Sequence, residues 1–293
     1  VATGELPLLW RDEHVVAVYK PAGWLVHRTG LDAGETRFVV QALRDQLGQR
    51  VYPVHRLDKG TCGVLAMALH PQAARQLADA FAHQTVAKRY LALVRGWPPP
   101  ACEVDHPLRP QEAPRAAPAQ EARTRLRRLA RLELPERSDP RYPHTRASLV
   151  LAEPVTGRRH QIRRHLKHLA HPLIGDATHG KGALNRWWAQ RLGLHRLWLH
   201  AWQLELPHPA DGRILRLHSG LCWPSGASGV ESAASDLQDW QGRVLCLPWQ
   251  AEGTGGCGPV LPSSAAQAAA TDAPPGQTAA HACPDPELPP CAS

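Results

Sequence analysis

Strand-like and helix-like segments alternate irregularly along this chain, and that order constrains the fold more than any other feature of the sequence. His14–Lys20 reads as a strand closed by Pro21-Ala22-Gly23. Val39, Val40, Leu43 and Leu47 recur at helical spacing, with Gly48 as the stop. Val64–Leu69 is an unbroken apolar run of strand length, and Pro71 suits the first turn of a helix with Ala74, Leu77, Ala78 and Phe81 on one face. Lys88–Val94 is a strand ended by Gly96. Pro98–Ala119 reads as a loop, Ala122–Leu134 as a basic strand, Pro135–Thr145 as a second loop and Ala147–Ala152 as a strand. The spacing predicts a helix over Arg158–Leu169, then strands at Leu197–Leu206 and Ile214–Leu217 joined by the turn His208-Pro209-Ala210-Asp211-Gly212. A regular parallel sheet needs strict alternation, so an α+β fold with a mixed, mostly antiparallel sheet is expected.

Three regions are expected: a catalytic domain over residues 1–224, an extension over 225–250 with a docked helix near Glu231–Trp240, and a disordered tail over 251–293. The tail has no Lys or Arg and almost no large apolar side chains, so burial there cannot offset ordering entropy. The whole chain carries a net charge of +8. The tail holds four acids, so residues 1–250 carry +12, an excess that suits a polyanionic partner or a solvated basic surface equally well. Seven scattered cysteines without a C-x-x-C pair fit neither a disulfide framework nor a cysteine-rich zinc site. No membrane span or signal peptide is apparent, and a cytoplasmic monomer is expected.

Two segments are dense in chemistry. In Pro53–Leu65 the carboxylate of Asp58 is surrounded by His55, Arg56, Lys59 and small residues, just ahead of the apolar run. A carboxylate on such a turn can serve as nucleophile or base; alone, the segment reads more readily as a turn ion pair with Arg56 or Lys59. In Glu153–Lys167, a helix would put Arg159, Arg163 and Lys167 on one side, either as a phosphate-contacting stripe or as a solvated face. His160, His165, His168 and His171 invite a metal reading. No acid or cysteine lies among them, so surface or RNA contacts are favoured and no metal is expected. Tyr90 is either a core tyrosine or a ring on which a base stacks.

In order along the chain come His55-Arg56-Leu57-Asp58 with Thr61 and Gly63, Lys88–Val94, Thr156–Arg163, His171–Asp176 and Leu199-His200-Ala201. From about Leu8 to Leu221 the chain resembles the RluA family of pseudouridine synthases. That resemblance implies a catalytic domain with helices flanking a mixed sheet and a central active-site cleft. It implies isomerisation of uridine to pseudouridine in RNA without a cofactor. Asp58 would be the nucleophile, Arg163 its paired cation, and Tyr90 the ring near the uracil, helping to remove the C5 proton. Arg56 would help extrude the target nucleotide or hold its backbone. His55, Arg158, Arg159, Arg164 and Lys167 would contact RNA, and Ile162 and Leu199 would pack the site. Cys62 stands where the family usually has Ser, and Pro98–Thr145 matches poorly.

Lys20–Arg28 and Leu192–Ala201 resemble a narrower subgroup that acts on tRNA. The expected target is then uridine 65, in the acceptor/T-stem region. The chain is also expected to lack the separate small N-terminal RNA-binding domain that several ribosomal members carry. The same reaction on ribosomal RNA and a non-catalytic RNA-binding or folding factor are the alternatives.

Overall fold

The computed structural model describes residues 5–28, 34–111, 114, 116–222 and 235–251. Eleven strands of these residues form one sheet. In chain order they are β1 (Leu8–Arg11), β2 (Val15–Lys20), β3 (Tyr52–Pro53), β4 (Cys62–Ala68), β5 (Ala87–Arg95), β6 (Ala101–Asp105), β7 (Arg123–Leu134), β8 (Thr145–Pro154), β9 (Leu199–Pro207), β10 (Ile214–His218) and β11 (Gln250–Ala251). The main path runs β1-β2-β4-β9-β5-β8-β7-β11, with β3, β10 and β6 paired onto β4, β9 and β7. The pair β4–β9 is parallel and every other pair is antiparallel.

The helices are α1 (Val39–Leu47), α2 (Pro71–Ala82), α3 (Gln161–His168), α4 (Gly182–Leu192) and α5 (Ser235–Asp239), the last continuing into a π-helical turn at Trp240–Leu245. Gly48 closes α1 in the left-handed conformation, and Pro71 opens α2 behind a His70 side chain that accepts the Ala73 N–H. The apolar run of β4 is unbroken because both faces are covered. Leu65 and Met67 pack with Val39 and Leu43 of α1, while Val64, Ala66 and Ala68 pack with Ala73 and Leu77 of α2. Farther along the sheet, Ile162 and Leu166 of α3 cover Ala92, Val150 and Ala152. Trp188 of α4, Leu237 of α5 and Trp240 pack into the cluster of Leu91, Leu93 and Leu149.

Two sequence expectations change. The stretch Pro98–Ala119 is not all loop: β6 lies within it and pairs antiparallel with the arginine-rich β7. The helix predicted over Arg158–Leu169 starts only at Gln161, because His160 ahead of it is left-handed, with φ 54° and ψ 25°. Arg159 therefore lies outside the helix, and the Arg159–Arg163–Lys167 stripe does not form. In the extension, α5 begins at Ser235, and residues 231–234 lie outside the described residues, as does the tail beyond Ala251. Among the described residues no helix is long and apolar enough to cross a membrane.

Candidate active site

Asp58 sits on the turn that enters β4, and backbone contacts fix that turn tightly. Its carbonyl accepts the Thr61 N–H at 3.0 Å, and the Lys59 carbonyl accepts the Gly23 N–H at 2.8 Å. Beneath it the ammonium of Lys20, fully buried, donates to the carbonyls of Thr61 at 2.6 Å, Pro21 at 2.9 Å and Lys59 at 3.2 Å. Burial lowers Lys20 to about 7. Four residues after Asp58, Cys62 and Gly63 begin β4 against His200 and Ala201 of β9. Gly63 has φ +114°, and a Cβ there would lie 2.1 Å from the Ala201 carbonyl oxygen, so only glycine permits this approach.

Behind the turn, Arg196 donates to the Cys62 sulfur at 2.9 Å and pairs with Asp236 of α5. Asp236 also accepts the Ala22 N–H at 3.0 Å. The extension thus reaches the back of the Asp58 turn.

Arg163 comes from α3, 105 positions away in sequence. Its Nη1 donates to Asp58 Oδ2 at 3.0 Å, while Nε and Nη2 donate to Asp176 Oδ2 and Oδ1 at 2.8 and 2.7 Å. Burial opposes its charge, but the bonds and charges of Asp176 and Asp58 hold its pKa above the ordinary value. Asp176 is fully enclosed. Burial would raise its carboxyl, yet the Arg163 bonds and the N–H groups of His179 and Thr178 hold it below the usual range.

These groups open onto a cavity of about 530 Å³. Asp58, Arg163, Tyr90, Arg56, His55, Arg158, Arg159, Ile162 and Leu199 all line it. Tyr90, on β5, lies where the α1 and α3 clusters meet. Burial and the charge of Asp58 push its phenol up, so the hydroxyl keeps its proton at neutral pH. Arg56, Arg158 and Arg159 are exposed around the mouth. Arg158 Nε donates to the Glu121 carbonyl at 2.9 Å. His55 is a neutral wall: Nε2 accepts the Ala66 N–H at 3.0 Å, the ring stacks on Phe81 at 4.7 Å, and burial lowers it to about 3. Arg164 and Lys167 do not line the cavity. Arg164 reaches the Arg109 carbonyl at 2.8 Å, and Lys167 is exposed on α3.

Sequence reasoning gave no catalytic or positioning role to three groups of this site. Asp176 stands in a quoted motif, but its partner is visible only in space. Lys88 lines the cavity two residues from Tyr90, donates to the Thr156 carbonyl at 3.1 Å, and is lowered to about 8 by burial. Strand periodicity could have found it, since residues i and i+2 share a face. His160 lines the cavity with Nε2 3.8 Å from Asp58 Oδ2. The other histidines of that segment scatter: His165 bonds Thr124 and the His106 carbonyl, His168 stacks on His106, and His171 bonds the Arg95 carbonyl.

Chemically, the arrangement is a partly accessible carboxylate oriented by a permanent cation, in a cavity shared with an aromatic ring and a basic rim. It can attack an electrophilic carbon of a flat ring or sugar attached to a polyanion.

Comparison with known proteins agrees. A family model described as RNA pseudouridylate synthase matches residues 14–168. The tRNA pseudouridine synthase C of Vibrio cholerae is 45% identical over 252 residues, covering 84% of this chain and 97% of that protein. The protein of the same name from Salmonella typhimurium is 48% identical over 228 residues, covering 74% and 85%. The solved structure of human RNA Pseudouridylate Synthase Domain Containing 4 aligns with a TM-score of 0.55 at 27% identity, over 72% of this chain and 87% of that one. The matched family model takes in the turn of Asp58, Tyr90 on β5 and Arg163 on α3. The chain belongs to the RNA pseudouridylate synthase family, of the RluA type that its motifs resemble, and is an isomerase.

Proposed function

We propose that this protein isomerises uridine to pseudouridine in tRNA, at uridine 65, with Asp58 as nucleophile. The observation that carries the reading is the 3.0 Å pair between Asp58 and Arg163 at the wall of a cavity also lined by Tyr90. The reaction detaches uracil from its ribose, turns it and joins C5 to C1′. Nothing is oxidised or hydrolysed overall, so the chemistry calls for no cofactor. Asp58 attacks C1′ or C6 as a carboxylate oriented by Arg163, which Asp176 itself grips.

The target nucleotide leaves its stack at a cost of roughly a few kcal/mol. Arg56, Arg158 and Arg159 at the mouth, with Lys88 inside, offset that cost by meeting phosphates. Arg164 and Lys167 extend the basic surface along α3. Tyr90 stacks on the uracil; a phenol that keeps its proton suits this role better than that of a ready base. Ile162 and Leu199 supply apolar wall. The tRNA reading is supported by the two relatives named above, whose names specify tRNA. The enzyme is read as a cytoplasmic monomer.

The test is tritium release from 5-tritiated uridine in tRNA and in ribosomal RNA fragments, using wild-type protein and Asp58→Asn. Release from tRNA that vanishes in the variant, with the new pseudouridine mapping to position 65, is expected. Release only from ribosomal RNA, or release unaffected by Asp58→Asn, would sink the reading.

A further inference from the structure

The two oxygens of the Asp58 carboxylate have different surroundings. Oδ2 receives the Arg163 Nη1 bond at 3.0 Å and is also the oxygen faced by His160 Nε2 at 3.8 Å. Among the described residues, Oδ1 takes no hydrogen bond. The other nitrogen of His160, Nδ1, lies 3.2 Å from His179 Nε2, with the rings edge to face at 80°. The backbone N–H of His179 donates to Asp176 Oδ1 at 2.9 Å, and the same carboxylate grips Arg163. Both groups facing Oδ2 are therefore anchored on Asp176, Arg163 directly and His160 through His179.

His160 holds this place at a conformational cost. A non-glycine residue in the left-handed region is strained, and such outliers gather at functional sites. The ring does not cap α3, since its side chain makes no cap hydrogen bond. Its contacts are with Asp58 and His179.

The hydrogen between the two imidazoles can be placed by electrostatics. Only one N–H fits between Nδ1 of His160 and Nε2 of His179. Were it on His160, a bare Nε2 lone pair would face a carboxylate. With His179 donating, His160 carries its hydrogen on Nε2, aimed at Oδ2. The charged and titratable groups facing the ring are Asp58 on the turn, Arg163 on α3, His179 beyond Asp176, and Arg159 just ahead in the chain. Burial, opposed by Asp58 and reinforced by the cations, lowers His160 to about 4, so the ring is neutral at pH 7.

We propose that His160 is a positioning residue: its Nε2–H, oriented by His179, acts with Arg163 to tie down Oδ2 of Asp58 and leaves Oδ1 as the attacking oxygen. Catalytic contacts that are long in the free enzyme commonly tighten when substrate binds, and closure from 3.8 Å to bonding distance is of that kind. The inference rests on the reading of Asp58 as nucleophile.

His160→Asn and His160→Gln separate this role from a backbone one. Asn suits the left-handed turn best but places nothing at the Nε2 position; Gln reaches that position with an amide N–H. Single-turnover tritium release from tRNA should fall about 10- to 100-fold in His160→Asn. Affinity for tRNA should stay within about threefold, and His160→Gln should recover most of the lost rate. Full activity in His160→Asn, equal losses in both variants, or a loss confined to affinity would overturn the inference. Wild type and Asp58→Asn run alongside. If they do not differ, the nucleophile reading fails and takes this inference with it; if they differ and His160→Asn matches wild type, only the inference fails.

Discussion

Asp176 grips Arg163 through two hydrogen bonds, of 2.8 and 2.7 Å, with neither oxygen of the carboxylate reaching solvent. This grip fixes the plane of the guanidinium so that Nη1 is the nitrogen that reaches Asp58. Removing one member of a buried pair strands the other, at about 3–5 kcal/mol. Asp176→Ala is expected to lose stability in that range by urea unfolding. It should also lower the single-turnover rate. The double variant Asp176→Ala/Arg163→Ala should lose less than the sum of the two single losses, because the Arg163 contact to Asp58 is common to both. Additive losses in rate would contradict this.

Arg163 itself should matter to chemistry more than to RNA capture. Arg163→Ala is expected to slow the chemical step about 10²- to 10³-fold, comparable to losing one preorganised donor. Affinity for tRNA, measured by filter binding, should change little. Arg163→Lys keeps the charge but not the planar fork, and cannot bond both carboxylates in this geometry, so it should recover only a small part of the loss. Near-normal turnover in either variant would remove Arg163 from the mechanism.

Stability should fall as acid is added from about pH 6.5 downward. Burial lowers His55 to about 3 and His218 to about 4, and holds His200 well below its ordinary value. Unfolded histidines bind protons near pH 6.5. Between the unfolded and folded values the unfolded chain carries more protons, so lowering the pH favours unfolding. The stabilising contribution is complete above the unfolded value and is lost toward pH 4. Lys20 acts in the same sense at the other end, since its ammonium is a burden below about pH 7 that eases as the pH rises toward its unfolded value. Urea midpoints that stay flat between pH 7 and pH 5 would refute the histidine contribution.

Gly63→Ala should damage folding and catalysis together. The added Cβ would sit 2.1 Å from the Ala201 carbonyl oxygen on a backbone with φ +114°. Relief requires parting β4 from β9, the parallel seam that supports the Asp58 turn. A loss of more than about 3 kcal/mol is expected, read as a lowered thermal midpoint. An unchanged midpoint would mean that the seam can give.

The sequence makes the candidate site residues legible and hides what supports them. Asp58, Tyr90 and Arg163 each lie in a dense local motif, and β2, β4, β5, α1 and α2 follow from apolar runs, helical spacing and their stops. Partners that meet only in space leave no such trace. Nothing near Asp176 in the chain marks it as the clamp on Arg163, and nothing near Cys62 marks Arg196 and Asp236 as its backing. The helix over Arg158–Leu169 is predicted too long because periodicity cannot see that His160 adopts a left-handed backbone. The short β6 escapes because Pro98, Pro99 and Pro100 precede it and few large apolar residues mark it. Its strand character comes from pairing with β7.

The contact of Asp236 with Ala22 and Arg196 has a consequence for the order in which activity arises. During synthesis β1 to β10, Asp58, Tyr90 and Arg163 all emerge before residue 235. The turn that carries Asp58 gains its backing only when α5 and Trp240 have left the ribosome and folded down. A nascent chain that already holds Asp58, Tyr90 and Arg163 thus still lacks the Asp236 contacts that brace the Asp58 turn.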